Sequence, residues 1–361
     1  MTASNPVLQS TYPWTKAPLI ASAPMLNIAL PPLAISVSEA RGLGFLAGGF
    51  DVSNLESNLE ETTRLVRESK NAETRDFHAE TGILPVGVGF INWGADLEIA
   101  VASIGRYKPC AVWFFAPRSQ PDDLRAWVER VRTATNGRTK IWVQVGTVME
   151  AVDVVKALRP DVLVVQGSDA GGHGLARSAS VVTLVPEVRD ALHVNHAPKD
   201  ALPVILAAGG IVDGRGMAAS LALGSSGVIM GTRFLASSEA TVARGYQAEV
   251  LRVSDGGRNT VRSTVYDRVR GIGGWPDRYD GRGVVNESYV DAVEKGMDDE
   301  ENRRLYQEEM KKGDDGWGPA GRMTTYAGTG VGLIKEALPV ATILERVRCE
   351  ANDIIKNLAG I

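Results

Sequence analysis

Eight short runs rich in Val, Ile and Leu recur through the first two-thirds of the chain, separated by stretches long enough for helices. They are Ala17–Met25, Leu43–Gly49, Leu84–Ile91, Ala111–Ala116, Ile141–Gly146, Val162–Gly167, Pro203–Gly210 and Gly227–Phe234. Each gives way to Gly, Pro or a polar loop, which marks strands. Strands that are apolar throughout are buried on both faces, and this implies a parallel sheet covered by helices. Eight βα units in series predict an α/β chain folded as a (β/α)8 TIM barrel. A doubly wound sheet is the second choice, because it usually has fewer strands and a switch point.

The helices have their own signals. Thr147 and Glu150 form a capping-box pattern, with Val148, Ala151, Val152, Val155 and Leu158 on one face of the helix that follows. Asp213 is placed to cap the helix after the seventh run. From about Ser254 to Gly321 the pattern breaks into a Gly-rich, charged segment with no strand-like apolar run. Asp291–Asp315 alone holds ten acidic and five basic residues. A solvated, mainly helical insertion after the last strand is the plain reading, and a lid over one end of the barrel is the alternative. Val340, Ile343, Leu344, Val347, Ala351, Ile354, Ile355 and Leu358 keep helical spacing, so a final helix packs back on the body. The expected organisation is a barrel over 1–253, the insertion over 254–325, and a closing loop and helix over 326–361.

Composition narrows the partners. With 361 residues, 44% apolar and 23% charged, the chain can bury a large core. A net charge of −4 lacks the basic footprint of a nucleic-acid binder. No apolar run approaches the roughly 18 residues that cross a bilayer. Met1–Trp14 has no apolar signal core, and Ala359-Gly360-Ile361 is not a peroxisomal address, so a cytoplasmic location is expected. Cys110 and Cys349 cannot build a disulfide framework, and both read as small buried residues. The histidines are His78, His173, His193 and His196. His193 and His196 have no thiolate or acidic partner motif, so no metal site is expected.

In a barrel the chemistry sits at the C-terminal ends of the strands. The sixth run ends in Gln166-Gly-Ser-Asp-Ala-Gly-Gly-His173, the seventh in Ala208-Gly-Gly-Ile211, and the eighth holds Met230-Gly-Thr-Arg-Phe234. Gly209, Gly210, Gly231 and Thr232 are phosphate-binding candidates, because glycines let backbone N–H groups approach a ligand and this fold often binds phosphate after strands seven and eight. The plainer alternative is that they only make tight turns. His173, in a glycine-rich strand-end loop, is the candidate for proton transfer, the alternative being a residue that orders the loop. Asp169 reads as a loop-ordering residue.

Together with Ala23-Pro24-Met25, these motifs resemble the nitronate monooxygenase family, formerly the 2-nitropropane dioxygenases, from about Pro18 to the last helix. The resemblance implies a barrel holding FMN non-covalently and oxidising alkyl nitronates, or nitroalkanes, with O2 to carbonyl compound and nitrite. It puts the FMN phosphate on Gly209, Gly210, Gly231 and Thr232, and the flavin ring against Ala23, Pro24 and Met25. Gln144 and Gly172 would lie beside the ring, His173 would be catalytic, and Tyr326–Gly332 resembles a further element near the flavin. Two departures stand out: Gly89 occupies a place where many members have Asn, with Asn92 as a possible substitute, and the charged insertion is long. The alternatives are an FMN-dependent enoyl-ACP reductase, which needs NAD(P)H, and a non-catalytic FMN-binding protein.

Overall fold

The computed structural model describes residues 5–195 and 202–360. Eight parallel strands form one sheet: β1 Leu19–Ser22, β2 Gly44–Gly49, β3 Leu84–Ile91, β4 Pro109–Phe115, β5 Lys140–Val145, β6 Val162–Gln166, β8 Val204–Ala208 and β9 Gly227–Met230. The order is β1-β9-β8-β6-β5-β4-β3-β2, and a bridge from Ala21 to Leu43 joins β1 to β2, closing the ring. Every expected run is therefore a barrel strand. The eighth is shorter than its apolar run, since the chain turns at Gly231 into the helix Thr232–Leu235.

Alternation explains why the strands are apolar on both faces. Leu19, Ala21, Phe45, Ala111, Trp113, Trp142, Val164 and Leu206 point inward, while Ile20, Leu46, Val88, Val112, Val143 and Val165 meet the helices. Gly87 makes room for Phe45, whose ring would lie 2.2 Å from a Cβ at that position. The N-terminal segment plugs the lower mouth: Trp142 Nε1 donates to Tyr12 Oη at 2.9 Å.

Thr147 caps Val148–Leu158 by accepting from Glu150 N. The Glu150 carboxylate faces back to the backbone N–H groups of Gly146 and Thr147. It accepts from Gly146 N at 2.9 Å, and burial pushes its carboxyl up from the usual range. Val154 rather than Val152 completes the buried face. Asp213 caps Gly214–Ala222 through Gly216 N at 3.0 Å. The last helix, Val340–Ala359, buries Val340, Ile343, Leu344, Val347 and Ala351, but Leu358 is exposed. Cys110 is buried as expected, whereas Cys349 is exposed, because it stands two residues past Val347 on the outer face.

The region after residue 254 is mainly helical, with Val265–Arg270, Glu287–Val293 and Asp299–Met310. It also contributes two strands that apolar patterning did not reveal, β10 Thr260–Ser263 and β11 Tyr279–Val284. Both belong to a three-stranded antiparallel sheet, β10-β11-β7, whose last member is β7 Gly172–Leu175. His173 therefore lies on a strand, opposite Gly281, and not in a loop. The acidic helix Asp299–Met310 buries Asn302 and Tyr306, and its exposed Arg304 pairs with Glu301 and Glu308.

Candidate active site

A cavity of about 450 Å³ opens at the C-terminal ends of the barrel strands. All ten residues singled out above line it: Ala23, Pro24, Met25, Gln144, Gly172, His173, Gly209, Gly210, Gly231 and Thr232. Its volume suits a small-molecule ligand, whose sites usually span about 300–1,000 Å³.

One wall follows β1. Ala23 N donates to Met230 O at 3.0 Å, and Met25 O accepts from Ile28 N and Ala29 N. The Pro24 ring rests on Gly89, where a Cβ would lie 2.3 Å from Pro24 Cγ. Pro24 thus fills the space that a side chain at 89 would need. Asn92 does not take over the role. Its Oδ1 accepts from Phe115 N at 2.9 Å, tying β3 to β4, and it does not line the cavity.

Gln144 is buried on β5, and its Oε1 accepts from Trp113 Nε1 at 3.1 Å. That bond leaves the amide nitrogen as the end available to a ligand acceptor. Gly172, at φ +67°, has nothing within 4 Å of where its Cβ would stand. Gly209 and Gly210 follow β8 with φ of +111° and +73°. Two successive residues in the left-handed region require glycine and turn the backbone toward the cavity. Asp169 orders this corner, as expected, with Oδ1 accepting from Thr329 Oγ1 at 3.0 Å and its carbonyl from Thr329 N. Gly231 sits 3.5 Å, measured from a built Cβ, from Ala23. Thr232 Oγ1 accepts from Gly328 N at 3.0 Å, and Tyr326, Gly328 and Gly330 of the closing loop line the same cavity.

His173 is the most constrained side chain here. Nε2 lies 2.9 and 3.0 Å from the two oxygens of Asp267, on the helix Val265–Arg270. Trp275 stacks on the imidazole with centroids 3.7 Å apart and planes 3° from parallel. Tyr326 lies at 5.3 Å and donates its hydroxyl to Asp267 Oδ1 at 3.0 Å. Burial, reinforced by the Asp267 charge, holds the Tyr326 phenol well above its usual range. Asp267, Trp275 and Tyr326 were not identified as imidazole partners from sequence. Only Tyr326 falls in a segment the sequence singles out, Tyr326–Gly332; Asp267 and Trp275 carry no such signal.

Arg262 on β10 locks the loop behind His173, donating to Ala170 O at 2.9 Å and Asp280 O at 2.6 Å. Burial, aided by Arg282, brings its guanidinium down to about 10. Arg262→Leu leaves both carbonyls without this donor, which costs about 1–3 kcal/mol for each buried group left unmade. The expected result is a lower thermal midpoint in calorimetry than that of the parent chain.

The other histidines stand apart. His78 Nδ1 lies 3.1 Å from Ile83 O, His193 Nδ1 lies 2.7 Å from Arg189 O, and His196 falls outside the described residues. Among the described residues no three His, Cys, Asp or Glu side chains gather as metal ligands, and no helix is long and apolar enough to cross a membrane.

Fold and cavity together define a barrel enzyme with one glycine-edged site at the strand ends. The sequence model of the nitronate monooxygenase family matches residues 126–349. A nitronate monooxygenase of Metarhizium robertsii is 44% identical over 98% of this chain and 96% of its own length. One from Neurospora crassa is 37% identical over 97% and 93%. The fold is shared with nitroalkane oxidase from Streptomyces ansochromogenes, at TM-score 0.72 and 23% identity over 98% of this chain and 99% of that one. FabK from Thermotoga maritima gives 0.70 and 24%, covering 98% of each. The chain belongs to the nitronate monooxygenase family and is an oxidoreductase.

Proposed function

We propose that this enzyme uses FMN and O2 to oxidise alkyl nitronates to a carbonyl compound and nitrite. The observation that carries the reading is the cavity joining a glycine cradle to a partly buried histidine, in a chain 44% identical to a named nitronate monooxygenase. The cradle fits a flavin mononucleotide. Gly209 and Gly210 offer backbone amides to a phosphate, with Gly231 and Thr232 beside them. The space left open at Gly172 and the apolar wall of Ala23, Pro24 and Met25 suit a flat ring. The Gln144 amide supplies a donor to its polar edge.

When bound, FMN accepts electrons from the substrate and passes them to O2; that chemistry is the cofactor's. The protein's part is binding and proton control. A nitronate is already a carbanion equivalent, so the cavity must hold an anion and keep water away. A protonated His173 stabilises that anion. A neutral His173 takes the α-proton of a nitroalkane, the C–H electron pair moving into the nitro group to give the nitronate.

The test is an absorbance spectrum of the purified protein, then ethylnitronate added without oxygen. The expected result is a yellow protein whose flavin is reduced by nitronate without NADPH, and which releases nitrite in air. A yellow protein that ignores nitronate but is bleached by NADPH overturns the reading in favour of a reductase. A colourless protein that FMN cannot reconstitute overturns the cofactor itself.

A further inference from the structure

The Asp267 carboxylate beside His173 is an acceptor only, so a nitrogen 2.9–3.0 Å from both its oxygens must carry a hydrogen. That fixes the proton of the neutral imidazole on Nε2. The contact with Asp267 fixes the ring's orientation, since turning it by 180° would keep the stack on Trp275 but put Cε1 where Nε2 stands. Nδ1 has no hydrogen-bond partner among the described residues, and His173 lines the cavity.

The charges around the ring come from several elements. Asp267 and Arg270 lie on one helix, Asp280 on β11, and Arg262 on β10. Arg270 stands 5.5 Å over the Tyr326 ring, and Tyr326 in turn donates to Asp267. With one oxygen of Asp267 occupied by that phenol, the carboxylate is itself held in place.

We propose that Asp267 is a positioning residue for the enzyme's chemistry: it pins the Nε2–H tautomer of His173, so that Nδ1 is the nitrogen that exchanges a proton with substrate. When Nδ1 takes a substrate α-proton, the C–H bond breaks, an N–H bond forms, and the carbon's electron pair stays with the nitro group. The positive charge gained by the ring then faces Asp267. The inference rests on His173 being the acid–base group, and its test separates the two.

The experiment is a ¹⁵N spectrum of the holoenzyme labelled at histidine, which is practical because the chain has only four histidines. His173→Ala assigns the signal. In the parent enzyme the neutral ring is expected to show a protonated Nε2 and a bare Nδ1. A bare Nε2 overturns the proposal with no variant needed. In Asp267→Asn the Tyr326 hydroxyl continues to hold the amide oxygen, the amide NH2 takes the place of the oxygen nearest Nε2, and the one acceptor left to Nε2–H is shared with the phenol, so the proton is expected to move to Nδ1. The expected loss in kcat is about 10³–10⁴-fold, the scale seen when an amide replaces the carboxylate of a catalytic histidine. Adding Tyr326→Phe releases the amide to turn over. The Nε2–H signal then returns, with part of the lost rate.

An Asp267→Asn enzyme that keeps Nε2–H, or keeps its kcat, overturns the assignment. If the tautomer flips as expected but His173→Ala remains fully active, the dyad stands as structure, and its role in the chemistry is overturned together with the proposed role of His173.

Discussion

His173→Ala is expected to bind FMN with unchanged affinity and to oxidise nitroalkanes about 10²–10⁴-fold more slowly, the usual contribution of one positioned acid–base group. The proposed cradle is backbone from Gly209, Gly210 and Gly231 together with the walls at Ala23–Met25, so the imidazole is expected to contribute little to cofactor binding. It is expected to contribute much to proton removal, since it is the one histidine lining the cavity among the described residues. Nitronates, which need no proton removed, are expected to lose less than nitroalkanes do. Steady-state nitrite release from the two substrate forms, measured beside a flavin fluorescence titration, checks this. Equal losses on both would show that the ring acts only by holding an anion.

Gly209→Ala is expected to weaken FMN binding about 5–30-fold. At φ +111° an alanine is strained, at roughly 1–2 kcal/mol for the left-handed region, and each 1.4 kcal/mol is tenfold in affinity where the strain falls on the bound geometry. The added Cβ would also stand 2.9 Å from Gly167 O and 3.1 Å from Ala170 N, so the loop leading to His173 must shift. Gly82→Ala is the matching control. Gly82 has φ +67° and nothing within 4 Å of a Cβ, at a helix end outside the cavity. That variant should lose some thermal stability and keep its FMN affinity. A Gly209→Ala protein that titrates like the parent would return the glycines after β8 to plain turns.

The barrel was legible because its strands announce themselves twice. Each carries apolar residues toward the interior and toward the helices, so even a strand of four or five residues stands out. The cradle was legible for a related reason: glycine pairs at strand ends are what positive φ and close approach require. The residues that grip His173 were not. Asp267 sits in Val-Tyr-Asp-Arg-Val-Arg, which reads as the solvated turn of a short helix. It is 94 residues from His173 and meets it only because β11 pairs with β7. That strand, Tyr-Asp-Gly-Arg-Gly-Val, owes its conformation to its neighbours more than to its own apolar surface. Cys349 and Leu358 failed in a simpler way. One lies off the buried stripe of its helix, and the other lies at the end that reaches past the body.

The division of labour between the two sheets has a consequence for how such an enzyme diversifies. Apart from Gly172 on β7, everything proposed to hold the cofactor comes from the ends of barrel strands, whereas the side chains that touch the imidazole come from residues 267–326. Inheritance can therefore rewrite the second set while leaving the first untouched. A lineage that kept the glycines but replaced Asp267, Trp275 and Tyr326 would retain a coloured, folded protein and be free to try a different reaction on the same prosthetic group.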